Sequence, residues 1–162
     1  MRPLAAAALA TALVATLGAC SEDPTGPVFQ VIEEVTFDPS LGIDLALMTE
    51  LPSGVYILDD PAGAGAMLAA NDSITLAHTG WLSNGSAFSQ GVFSSRHDAT
   101  PPRFIEGFDI GLGGMAVGGT RLMIIPPELG FGAQDQRDQF GQVVIPGGSV
   151  LIFEVELQAI LP

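Results

Sequence analysis

"SVLIFEVELQAIL", residues 149–161, alternates along its length: Leu151, Phe153, Val155 and Leu157 fall on one side, Glu154, Glu156 and Gln158 on the other. A period of two marks a strand with one face in the core and one in water. Upstream, "GTRLMII" (119–125) reads as a second strand, stopped by Pro126-Pro127, which cannot donate to a ladder. "DSITLAHTGWL" (72–82) sets Ile74, Leu76 and His78 on one face and Thr75 and Ala77 on the other. Asn84-Gly85 follows, the pair that best accepts positive φ in a tight hairpin. "GVYILDD" (54–60) is a further strand. "IEGFDIGLGGM" (105–115) spaces Phe108, Leu112 and Met115 at i, i+4, i+7, a helical stripe. That segment is short and glycine-rich, so packing on a sheet must hold it. One helix among antiparallel strands predicts an α+β domain. Residues 89–103 and "GFGAQDQRDQFGQVVIPGG" (130–148) read as loops, and residues 28–51 as an extension with at most a strand and a helical turn.

The chain has 162 residues, 18 acidic against 5 basic, and a net charge of −13. All the basic residues are arginines. Nucleic acid is a poor partner for such a surface, because its phosphates need basic neutralisation. Charges are sparse (14%) and apolar residues many (48%), which is a globular composition and not an acidic disordered tail. At the start, "MRPLAAAALATALVATLGAC" runs from Arg2 through an apolar stretch to small residues and Cys20. The run is too short for a membrane span and reads as a secretory signal, residues 1–19. No other cysteine exists, so the mature chain has no disulfide and no cysteine-based metal site. "SEDPTGP" (21–27) is polar and proline-broken, a tether.

Chemistry has few places to sit. A nucleophilic triad needs a base within reach of the nucleophile and a third group to orient it. The histidines are His78, on a strand, and His97, in a polar loop, and no G-x-S-x-G elbow is present. Asp59-Asp60 and Asp135/Asp138 lack calcium-loop spacing and read as solvated surface acids. "GLGGMAVGG" (111–119) does not follow the strand-then-helix order of a dinucleotide site. What remains is aromatic: Phe88, Phe104, Phe108, Phe131, Phe140 and Phe153 all lie in the regular part of the chain.

"ITLAHTGWLSNGSAF" (74–88), "FIEGFDIGLGGMAVGGTRLMIIPPELGFG" (104–132) and "VIPGGSVLIFEVELQAI" (144–160) follow one another in an order and spacing that resembles the FKBP-type peptidyl-prolyl isomerases. "IIPPELGFG" together with "FEVEL" is the specific part, and the resemblance spans about residues 53–160. It implies an antiparallel sheet wrapped around one short helix over residues 53–162, and non-covalent rotation of X-Pro bonds with no metal or cofactor. Amide resonance sets a barrier of about 18–20 kcal/mol to that rotation. A dry aromatic pocket that binds the twisted, less polar amide better than the planar one lowers it.

Carried over position by position, the resemblance puts the catalytic pocket on Phe88, Ile105 and Phe131, with the Ile105 N–H bonding a substrate carbonyl. Substrate-binding walls fall on His78, Ser89, Phe104, Phe108, Val144 and Phe153, although Phe153 also fits the core of any antiparallel sheet. His78 stands where the family has a tyrosine, Phe108 where it has a tryptophan, Ser89 for an aspartate, and Phe131 for a tyrosine. The segment between Phe88 and Ile105 is shorter than the family's, with Phe93 the candidate for an aromatic there, and the 133–143 loop is enlarged. "LGAC" resembles the bacterial lipobox, which implies lipidation of Cys20 and a lipid-anchored domain, residues 20–52 serving as tether and extension. Ser21, in place of an aspartate, points to the outer membrane and its periplasmic face. The expected partners are proline-containing segments of secreted proteins. A non-catalytic proline-segment binder is the first alternative, and a lipid-anchored surface or adhesion protein using its acidic loop the second.

Overall fold

The computed structural model describes residues 28–161. Its main sheet comprises β1 (Thr49–Glu50), β2 (Tyr56–Asp59), β3 (Ser73–Leu82), β4 (Ala87–Arg96), β5 (Thr120–Ile125) and β8 (Leu151–Leu161). They lie in the order β1-β2-β5-β8-β3-β4, with every neighbouring pair antiparallel. The helix α1 (Glu106–Leu112) lies on one face. A separate two-stranded ladder pairs β6 (Gln136–Arg137) with β7 (Val143–Ile145) inside the glycine-rich segment expected to be a loop.

The alternation in β8 is as expected. Leu151, Phe153, Val155 and Leu157 are buried with Ile74, Leu76, Met123 and Leu112 in the principal core, while Glu154, Glu156 and Gln158 are exposed. The α1 stripe holds too, with Phe108 and Leu112 buried and Met115 buried just beyond the helix. Gly107 and Gly111 let the helix lie flat on β5: a Cβ at Gly107 would strike Ile125, and one at Gly111 would strike Met123. Each glycine weakens the helix by about 1 kcal/mol relative to alanine. Burial of Phe108 and Leu112, worth about 1.5–3 kcal/mol each, outweighs that. The helix therefore exists because it is packed.

Arg121 locks this arrangement. Its guanidinium is buried and donates to both carboxylate oxygens of Asp59 (2.6 and 2.8 Å) and to the carbonyls of Gly111 and Gly113 at the helix end (2.7 Å each). Asp59 is thus the counter-ion of a buried arginine and not a free surface acid.

Three expectations are corrected. Residues 89–96 are not loop but the second half of β4, an edge strand whose small residues Ser89, Gly91 and Ser95 hide its inward face. The hairpin after β3 is not the two-residue mirror turn: Gly85 alone takes positive φ (82°), and its N–H bonds the Leu82 carbonyl. Residues 28–51 hold more structure than a strand and a turn. Three 3₁₀ turns (Ile32–Glu34, Pro39–Leu41, Leu45–Leu47) lie over the outer face of the sheet, and β1 extends its edge beside β2. There Ile32 joins Tyr56, Ile124, Val150 and Ile152 in a second core, flanked by Phe37, Leu41, Leu45 and Trp81. The Tyr56 hydroxyl donates to Glu33 (2.6 Å), a bond that raises the phenol pKa and lowers that of Glu33. Gln30 closes the cover, its N–H bonding the Gly148 carbonyl and its side-chain oxygen accepting from Val150 N.

Candidate functional site

A hollow of about 340 Å³ opens where β3, β4 and β8 meet the residues leading into α1. It is lined by His78, Phe88, Ser89, Phe93, Arg103, Phe104, Ile105, Phe108, Phe131, Ile145 and Phe153. The strand register explains how Phe88 and Ser89, adjacent in sequence, both turn inward. Gly80 pairs with Ser89 and Trp81 with Ala87, leaving Phe88 as the extra residue of a β-bulge. Such a bulge re-aims a side chain out of the strict alternation. Gly80 makes room for the result, because a Cβ there would lie 2.8 Å from both Phe153 Cε1 and Phe88 Cζ.

The aromatic walls touch one another in sequence around the hollow. Phe88 meets Phe153 edge-to-face at 5.4 Å, and Phe153 meets Phe108 at 5.0 Å. Phe108 meets Phe104 at 5.1 Å, Phe104 meets Phe93 at 5.4 Å, and Phe93 meets the His78 ring at 5.1 Å. Pairs of this kind add about 0.5–1.5 kcal/mol each beyond their buried area. Each ring holds the next, so the walls are preorganised. Phe131, half-buried after the 3₁₀ turn Pro127–Leu129, closes the remaining side with buried Ile145.

His78 Nε2 lies 2.7 Å from Ser89 Oγ. Its other nitrogen, Nδ1, is buried and has no hydrogen-bond partner. Burial pushes the imidazole below its ordinary pKa, and the Gly91 backbone offsets that only in part. A serine beside a histidine has the spacing of a nucleophile and base, but no third group orients or charges the ring. The pair is a neutral polar patch in an apolar wall. His97 is also no base for the hollow: it is buried away from it, with Nδ1 3.1 Å from Asp109 and backbone bonds to Asn71 and Asp72. Among the described residues no group of three or more His, Cys, Asp or Glu side chains could hold a metal, and no helix is long and apolar enough to cross a membrane.

Of the residues singled out from sequence, the structure brings His78, Phe88, Ser89, Phe104, Ile105, Phe108, Phe131 and Phe153 to this hollow. Phe153 is at once wall and core. Val144 is corrected: it is 40% exposed and lies outside, and the neighbouring Ile145, 4% exposed, takes the lining position. The two residues point to opposite sides of β7, and sequence alone does not choose between them. Phe93, the candidate for the missing aromatic, is in the wall, whereas Arg103 was not anticipated. Cys20 lies outside the described residues.

Fold and hollow together present an apolar site with aromatic walls and, among the described residues, no oriented nucleophile–base pair. Residues 65–158 match the family model of the FKBP-type peptidyl-prolyl cis-trans isomerases, and the chain belongs to that family. It is 39% identical over 108 residues to an FK506-binding protein of Neisseria meningitidis serogroup B, covering 64% of this chain and 94% of that protein. The fold is similar to a peptidyl-prolyl cis-trans isomerase of Pseudomonas syringae pv. tomato (TM-score 0.62, 26% identity, 72% of this chain and 82% of that one). It is also similar to FkpA of Escherichia coli (TM-score 0.60, 28% identity, 72% of this chain and 52% of that one).

Proposed function

We propose that the chain uses this hollow to rotate X-Pro bonds in proteins folding outside the cytoplasm, held to a membrane by lipid on Cys20. The observation that carries the catalytic assignment is the ring of mutually packed aromatics around a donor. Ile105 lines the hollow, and its N–H bonds no acceptor among the described residues. That N–H holds the carbonyl beside the substrate proline while the proline ring sits on Phe108 between Phe88, Phe104 and Phe153. Phe131 and Ile145 cover it, and His78 and Ser89 present a polar edge. Inside such walls the twisted amide, which has lost part of its charge separation, is favoured over the planar one. Clients gain because uncatalysed isomerisation takes tens to hundreds of seconds.

Two departures favour a second reading, a weakly active or non-catalytic holder of proline segments: Phe131 carries no hydroxyl and Ser89 no charge. A proline-peptide isomerisation assay separates the two. Turnover above buffer supports the enzyme, whereas binding without turnover supports the holder. Anchoring is tested separately, by mass spectrometry of the membrane fraction. The native chain should carry a diacylglyceryl mass on Cys20, and Cys20→Ser should abolish it; an unmodified, soluble native chain overturns the anchor.

A further inference from the structure

The chain carries 18 acidic side chains and 5 basic ones, yet no aspartate or glutamate lines the hollow and Arg103 does. Arg103 is exposed at its rim. Two other arginines are partnered: Arg121 is clamped by Asp59, and Arg137 lies 2.9 Å from Asp135. Arg103 has no carboxylate within 4.0 Å among the described residues. Arg96 has none either, but it sits at the far end of β4, opposite Ser73, and does not line the hollow. So an acidic protein leaves a cation without a partner at the mouth of a neutral, aromatic site.

We propose that Arg103 forms a carboxylate-binding subsite on the rim of the hollow, so that the protein prefers X-Pro segments bearing a carboxylate next to the proline. The proposal rests on the hollow being the proline site. Arg103 follows Pro101-Pro102, whose fixed φ stiffens the approach, and precedes Phe104 and Ile105. A carboxylate within about two residues of the proline, roughly 7 Å of extended chain, lies in its reach. The net charge of −13 opposes acidic ligands at a distance. At 0.15 M ionic strength that field is screened beyond about 8 Å, whereas a contact ion pair lies inside the screening length. Guanidinium also matches a carboxylate with two parallel donors, which a lysine would not do. The carboxylate can come from an aspartate or glutamate side chain or from the end of a polypeptide.

The test compares matched proline peptides with Glu, Gln or Lys flanking the proline on either side, each with a free or an amidated C-terminus. Turnover and affinity are measured with the full chain in detergent at 0.15 M salt. An exposed ion pair of ordinary strength gives a Glu-over-Gln preference of about two- to fivefold. Arg103→Gln should bring that ratio to one, and Arg103→Glu should invert it. Arg96→Gln should leave it unchanged. A preference that survives amidation assigns the carboxylate to side chains; one that requires the free end assigns it to chain termini. Equal handling of Glu and Gln peptides by the native chain overturns the subsite, as does a preference that persists in Arg103→Gln. If no peptide turns over, the isomerase reading fails, and the ratio of dissociation constants still decides the subsite.

Discussion

The Arg121 guanidinium and the Asp59 carboxylate face each other across β2 and β5 as directly paired residues, joined by two hydrogen bonds. This pair ties the end of α1 to the sheet, and with it the floor of the hollow. Asp59→Ala leaves a buried guanidinium without its counter-charge, a loss put at 3–5 kcal/mol for fully buried pairs. Because the Asp59 side chain is 38% exposed, the lower end applies, about 3 kcal/mol. Denaturant unfolding should show the midpoint falling with little change in slope. An unchanged midpoint would refute the clamp.

Gly80→Ala is expected to damage site and fold together. The added methyl meets Phe88 and Phe153 at 2.8 Å, so one ring must leave its place. Overpacking of this kind costs about 1–3 kcal/mol. Isomerase activity should fall by more than stability alone explains, measured on the fraction still folded.

Phe131→Tyr and Ser89→Asp each return a polar group to the hollow. One hydrogen bond is worth about 0.5–1.5 kcal/mol, hence roughly two- to tenfold in rate if it forms in the transition state. Activity should rise in the double variant. A decrease would mean that the present wall is already matched to its clients.

His78→Tyr should preserve or raise activity, since the imidazole is assigned no proton transfer. A collapse to background in the peptide assay would show that it does chemistry.

His78 also shapes the response to pH. Its folded pKa lies below the unfolded value because burial disfavours the charged ring. The unfolded chain therefore binds more protons in that window, and stability must drop as pH falls below about 6.5, the ordinary histidine value. Thermal melts from pH 8 to pH 5 should show this slope in the native chain. It should be shallower in His78→Phe. Parallel curves for the two proteins would contradict the assignment.

Much of the site was legible because it rides on regular alternation. His78 follows Ile74 and Leu76 by parity, and Phe153 follows from the pattern of β8. Phe88 and Ser89 facing the same way was not legible from parity, since it depends on a bulge that only the register with Gly80 and Trp81 reveals. β4 itself escaped because an edge strand built of Ser, Gly and Gln has little hydrophobic contrast to read. Val144 and Ile145 differ only by register. The second core did leave a trace: Leu151, Ile152 and Phe153 form an unbroken apolar run, the pattern of a strand covered on both faces. Nothing in residues 28–51 announced that they were the cover.

That cover makes the order of folding unusual for so small a protein. Gln30 bonds Gly148 and Val150, residues about 120 positions later, and Ile32 packs on Ile124 and Ile152. Contacts of such long sequence separation are made late, because a large loop must close first. β8, the central partner of β3 and β5, comes later in the chain than every other strand of that sheet. As the chain leaves the machinery that synthesises it, Gln30 and Ile32 cannot make these contacts until residues 148–152 have arrived. The hollow, walled in part by Phe153, is likewise complete only once that strand has been made.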